Sequence, residues 1–174
     1  PDDCIVYVNT FSKNWAMTGW RMGWIHAPGA LRQTLENLIQ YSSSGTAQFM
    51  QRAGVVALNE GDWFIDHMVA RARDGRSVVR RAIEANPRVT YAAPAGAFYA
   101  FFKVAVMASA KEASFRLSDE ANVGTAPGTA FGEVGEGFVR VCFARSADSL
   151  SEAMDRITSF LEGESEPLES PMQA

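Results

Sequence analysis

The chain has 174 residues, enough for one domain with a real core or for one domain and part of another. It is 47% hydrophobic and 21% charged, with 16 Lys and Arg against 20 Asp and Glu, a formal net charge of −4. That balance lacks the basic excess of a nucleic-acid binder, and no apolar run approaches the ~20 residues that cross a bilayer. The two cysteines, Cys4 and Cys142, are too few for a disulfide framework and read as reduced thiols in apolar runs, so the cytoplasm is the expected compartment. The chain begins at Pro1 and runs at once into a strand, so it is expected to be cut from something longer.

In chain order, Cys4–Val8 (CIVYV) reads as a short buried strand. The stretch NTFSKNWAMTGWRMGW follows, and Met22–Ala27 reads as a second strand ended by Pro28-Gly29. Ala30–Gln40 reads as a helix, Tyr41–Thr46 (YSSSGT) as a polar loop, and Ala47–Asn59 as a second helix. A long helix is expected from an N-cap at Asp62, with Phe64, Met68, Ala72, Val79 and Ile83 as its buried stripe. Arg71, Arg73, Arg76, Arg80 and Arg81 on that helix read as a solvated face.

Asn86-Pro87 ends the helix. Arg88–Ala92 and Ala97–Val104 read as strands joined by the turn Pro94–Gly96. Ser109–Ser118 reads as a helix, Val123–Ala126 and Phe138–Phe143 as strands, and Asp148–Leu161 as the last helix. The tail 163–174 is polar and expected to be disordered. Strands alternate with helices, which argues for an α/β chain. No metal-ligand spacing occurs, and His26 and His67 read as structural or surface residues.

Three cations stand out. Lys13 follows a strand, where α/β sheets place ligands. If Phe11 and Trp15 reduce its contact with water, its amine becomes a nucleophile toward aldehydes, able to form a Schiff base. The alternative is a solvated loop lysine. Arg21 offers a planar fork of donors to a phosphate or carboxylate, with the Thr10 and Ser12 hydroxyls close in sequence and Gly19 allowing close backbone approach. The alternative is an arginine stacked on Trp20 or Trp24. Arg140 shares one strand face with Phe138, Cys142 and Ala144, where an arginine needs an anion: a substrate carboxylate or a structural Asp or Glu.

Together these residues carry a resemblance. SKNWAMTGWR (Ser12–Arg21) resembles the lysine signature of the fold-type I, class I/II pyridoxal-phosphate-dependent aminotransferases. PAGAFY (Pro94–Tyr99), APGTAFG (Ala126–Gly132) and EGFVRVCFARS (Glu136–Ser146) resemble later blocks of that family in the same order. The resemblance implies a lysine Schiff base with pyridoxal 5'-phosphate at Lys13, which would also move the substrate Cα proton. It implies a cofactor phosphate held by Arg21, Thr10 and, more weakly, Ser12, and a substrate α-carboxylate bound by Arg140. No metal is implied.

The implied reaction moves an amino group between an L-amino acid and a 2-oxo acid, in a homodimer when full length, with no nucleic-acid or membrane partner. The loop 42–46 would lie near the partner's site. The implied fold is the C-terminal part of such an enzyme: 1–45 the end of the large cofactor domain, 46–162 the interdomain helix and small α/β domain. In relatives the aspartate on the pyridine nitrogen, the asparagine on the ring hydroxyl and the stacking aromatic precede the lysine. Asp2 and Asp3 are too close to Lys13 to stand in for that aspartate, so this chain alone is expected to be inactive. Other readings remain open: a lyase or decarboxylase on the same scaffold, the ligand-sensing domain of a transcription regulator, or an inactive interaction partner.

Overall fold

A computed structural model describes residues 4–105, 107 and 109–164. Asp2, Asp3 and residues 165–174 of the expected disordered tail lie outside the described residues. The chain divides into two compact units between Met68 and Val69.

In the first unit, β1 (Tyr7–Thr10) pairs antiparallel with β2 (Gly23–His26), from Tyr7 opposite His26 to Thr10 opposite Gly23. The expected buried strand at Cys4–Val8 is therefore displaced toward Thr10, and it is not buried: Val8 is 75% exposed. A lone pair of strands has no layer to cover its faces. A single 3-10 turn, Gly29–Leu31, leads into α1 (Arg32–Ser43). Tyr41–Ser43, expected as loop, are the last residues of α1, which ends where Ser44 and Gly45 take positive φ. Then come α2 (Gln48–Glu60) and the start of α3 (Asp62–Glu84). The core here is small: Phe11, Met17 and Met22 are buried, with Trp15, Met50, Ala53 and Ala57 packed around them.

The second unit holds most of the buried apolar residues. Its sheet has the order β3 (Val89–Tyr91), β4 (Tyr99–Val104), β6 (Phe138–Cys142), β5 (Ala126–Pro127), all neighbours antiparallel. Period-two alternation sets its two faces. Ala100, Phe102 and Val104 of β4 and Val139 and Val141 of β6 are buried. They join Val79 and Ile83 of α3, Leu117 of α4 (Ala110–Asp119) and Leu150, Met154, Ile157 and Leu161 of α5 (Ala147–Gly163) in one core.

The helices start where polar caps satisfy their free N–H groups: Ser109 accepts from Glu112 N at 3.1 Å, and Ser146 from Ser149 N at 3.3 Å. The expected strand Val123–Ala126 shrinks to Ala126–Pro127, because Val123 N instead closes the end of α4 on Leu117 O at 2.9 Å. Two arginines tie down the end of α5. Arg88 donates to Leu161 O and Glu164 O, and Arg116 makes ion pairs with Glu164 and Glu120, each at 2.7 Å. Gly163 thus closes α5 and Glu164 is held, so the first two residues of the expected tail are ordered. The arginine face of α3 is solvated as expected at Arg80, which pairs with Glu84, whereas Arg76 is half-buried and donates to Pro94 O at 3.1 Å. Among the described residues no helix is long and apolar enough to cross a membrane.

Candidate active site

The twelve residues between β1 and β2 are pinned from inside. Phe11 N donates to Met22 O at 3.1 Å, closing the neck of the loop. Phe11, Met17 and Met22 bury their side chains, and the Phe11 ring lies 5.1 Å from that of Trp15 and 5.0 Å from that of Trp24. Trp15 packs into this small core, while Trp20 and Trp24 are exposed, Trp24 touching Phe11 from outside. A Cβ at Gly54 would stand 3.0 Å from Met22 Cε and 3.1 Å from Phe11 Cζ, so the absence of a side chain there lets α2 seat against the loop. Apolar anchors on one side leave Ser12, Lys13, Asn14, Thr18 and Arg21 on the other.

Those polar residues are linked. Thr10 Oγ1 lies 2.9 Å from Ser12 Oγ and 3.2 Å from Met22 O, and it accepts from Ser12 N at 3.1 Å. Thr18 Oγ1 donates to Ser12 O at 3.1 Å, and Arg21 Nη1 donates to Thr18 O at 3.0 Å. The chain Thr10–Ser12–Thr18–Arg21 therefore folds three hydroxyls and a guanidinium into one turn. A threonine hydroxyl has a single hydrogen, which Thr10 directs to Ser12 or Met22; as the acceptor, Ser12 keeps its own hydrogen for another partner.

Arg21 holds left-handed backbone angles, φ 51° and ψ 45°, unusual for a residue with a Cβ. It does not stack on Trp20 or Trp24 but bonds Thr18 O. Gly19 faces open space among the described residues.

Lys13 sits on the same turn, exposed, and its amine meets no acid or acceptor among the described residues. Its expected aromatic shielding is absent, because the Trp15 ring turns to Phe11.

Arg140 lies in the second unit, on β6. The expected parity holds: Phe138, Arg140 and Cys142 are half-buried on one face, and Val139 and Val141 are buried on the other. No carboxylate pairs with Arg140 among the described residues. Two rings meet it instead: its Cζ is 4.1 Å from the centroid of Tyr99 and 4.0 Å from that of Phe131. The sequence reading singled out the segments PAGAFY and APGTAFG but not these two aromatics within them. The signal was available for Tyr99, which shares the Arg140 face across β4 and β6. It was not available for Phe131, which comes from the single turn Gly128–Phe131.

The first unit thus carries an amine, hydroxyls and a guanidinium on one turn. Residues 1–157 match the family described as Aminotransferase class I and II, and the chain belongs to that family. It is 38% identical over 167 residues to an aspartate aminotransferase of Pyrococcus horikoshii, covering 94% of this chain and 42% of that protein. It is 35% identical over 159 residues to aromatic-amino-acid aminotransferase 2 of Thermococcus litoralis, covering 90% of this chain and 41% of the relative.

Among solved structures, an aromatic aminotransferase from Pyrococcus horikoshii superposes with a TM-score of 0.85 at 33% identity, over 90% of this chain and 43% of that one. The aspartate aminotransferase of Thermotoga maritima gives 0.83 at 34% identity, over 92% of this chain and 41% of that one. The structural neighbours are fold-type I aminotransferases. The chain spans about two-fifths of the length of these relatives.

Proposed function

We propose that this chain carries the lysine and the carboxylate-binding arginine of a pyridoxal-phosphate-dependent aminotransferase acting on an L-amino acid and a 2-oxo acid. The observation behind this reading is the lysine turn. Among the described residues, an amine without a partner stands on the same turn as three hydroxyls and a guanidinium. That donor set fits a phosphorylated aldehyde, since hydroxyl and guanidinium hydrogens suit phosphate oxygens and a primary amine suits a carbonyl carbon.

Ser12, Thr10 and Arg21 would hold the phosphate, with Ser12 offering the freer hydroxyl hydrogen, and Lys13 Nζ would hold the aldehyde end. Pyridoxal 5'-phosphate, when bound, supplies an electron-withdrawing ring that makes the substrate Cα–H acidic. Lys13 Nζ would take that proton as a neutral amine and return it as an ammonium. Arg140 binds the α-carboxylate with its N–H edge and so orients the Cα–H bond.

The order of the four motif segments supports placing the chain in the C-terminal part of such an enzyme. Residues 1–45 would then end the large domain, and 46–162 would supply the interdomain helix and small domain. On that placement the groups that contact the cofactor ring come from elsewhere in the protein. The chain alone is then inactive, and the full protein works as a homodimer in the cytoplasm.

The test is an amino-transfer assay of the intact protein with 2-oxoglutarate and a panel of amino donors. Transfer abolished by Lys13→Ala supports the proposal. Elimination or decarboxylation without transfer replaces it with another reaction on the same scaffold.

A further inference from the structure

Arg140 lies in the sheet face where an acidic partner would be the ordinary way to settle a half-buried cation. It has none among the described residues; Tyr99 and Phe131 rings stand about its Cζ at 4.1 and 4.0 Å. The difference is chemical. A carboxylate partner would occupy guanidinium N–H donors, the same donors a ligand carboxylate needs. An aromatic ring attracts the cation through its π face and leaves the N–H edge open.

The Phe131 ring is itself placed with care. Gly128 and Gly135 are so close that a Cβ on either would stand 2.1 or 2.2 Å from the other's carbonyl oxygen. That contact folds the turn back onto the sheet. The Phe131 ring then meets Phe101 edge-on at 6.4 Å, and Phe101 stacks on Phe138 at 4.9 Å with 5° between planes. Phe101 is also the residue directly opposite Arg140 across the two strands. A row of rings, Phe138–Phe101–Phe131, thus delivers one ring to the guanidinium, and Tyr99 supplies the second. Phe131 remains 51% exposed, an unusual state for a ring kept only for the core.

We propose that Phe131 and Tyr99 are positioning residues that clamp the Arg140 guanidinium by its faces, keeping its N–H edge free and correctly turned for the substrate carboxylate. The proposal rests on the reading of Arg140 as the carboxylate-binding residue. It adds that carboxylate affinity depends on the rings themselves and on no acidic partner.

The experiment uses the intact holoenzyme with Phe131→Leu, Phe131→Trp, Tyr99→Leu and Arg140→Lys. Steady-state kinetics are read with both the amino acid and the 2-oxo acid. Calorimetry gives the affinity for whichever of succinate and 3-phenylpropanoate the wild type binds, and urea midpoints report folding.

Phe131→Leu keeps apolar volume but loses the ring, so KM for both substrates and Kd for the carboxylate probe should rise about tenfold while kcat stays within about threefold. Phe131→Trp should restore them, and Tyr99→Leu should behave like Phe131→Leu. If Phe131→Leu binds carboxylates like the wild type, or if its loss merely follows a lowered urea midpoint, the clamp is overturned and the role of Arg140 stands. If Arg140→Lys leaves KM and Kd unchanged, the carboxylate reading itself fails and the clamp fails with it.

Discussion

The hydroxyl of Thr10 points its one hydrogen at Ser12 Oγ, 2.9 Å away, or at Met22 O, 3.2 Å away, and Ser12 is left as the donor with a hydrogen to spare. On the proposed reading both residues face the phosphate, with Ser12 the freer donor and Thr10 also shaping the turn. Ser12→Ala should weaken retention of the cofactor phosphate by roughly tenfold to a hundredfold, the worth of one hydrogen bond to a charged group. Thr10→Val should lower the stability of the loop as well. Equilibrium dialysis of the intact protein against pyridoxal 5'-phosphate, beside urea denaturation, separates the two effects. A Ser12→Ala protein with unaltered retention would contradict this assignment.

Arg21 holds a left-handed backbone at φ 51° while carrying a large side chain. Such a position costs a residue with a Cβ roughly 1 kcal/mol that glycine does not pay. Arg21→Gly and Arg21→Ala both remove the guanidinium, so both should lose phosphate affinity by about tenfold or more. They should differ in stability, with the glycine variant ahead by about 1 kcal/mol in denaturant titration. Equal stabilities would mean that the left-handed backbone carries no strain there.

The Tyr91 hydroxyl is buried without a hydrogen-bond partner among the described residues. Burial, and then the charge of Glu84, raises its pKa above the ordinary 10.0. A group whose value is raised in the folded state contributes stability that is full below pH 10 and lost as pH rises through the folded-state value. Tyr91→Phe should remove that alkaline loss and gain up to about 1 kcal/mol at neutral pH by deleting an unsatisfied hydroxyl. Urea midpoints from pH 7 to 11 test both parts, and a Tyr91→Phe protein less stable at pH 7 would show that the hydroxyl has a partner.

Glu120 carries the opposite sign. Its hydrogen bond to the Arg116 guanidinium pushes its carboxyl below the ordinary value of 4.5. Its contribution is therefore full above pH 4.5 and falls away as pH drops through the lower folded-state value. Glu120→Gln should flatten part of the acid limb of the stability profile. Because the pair is solvent-exposed, salt should weaken it in the wild type.

Much of the second unit was legible in the sequence. Alternation from Phe138 separated the strand's two faces, and Arg140 lies opposite the buried Val139 and Val141 as that parity required. The polar residues of the lysine turn stood out in the sequence, but their surroundings did not. Phe11 and Trp15 flank Lys13 in sequence, yet the turn brings their rings together and leaves Lys13 exposed. The first strand was read as buried from its β-branched and aromatic residues; burial needs a covering layer, which a strand's own residues do not reveal. Phe131 was invisible because its position depends on the contact of Gly128 with Gly135, a feature of backbone path rather than of periodicity.

The central claim is that Lys13 is the amine that holds the cofactor aldehyde. The most direct measurement is peptide mass spectrometry of the intact protein after incubation with pyridoxal 5'-phosphate and borohydride reduction. The account predicts a single reduced pyridoxyl adduct on the peptide containing Lys13, absent in Lys13→Ala. An adduct confined to Lys103 or Lys111, or no adduct on a folded protein that retains the cofactor, would contradict it.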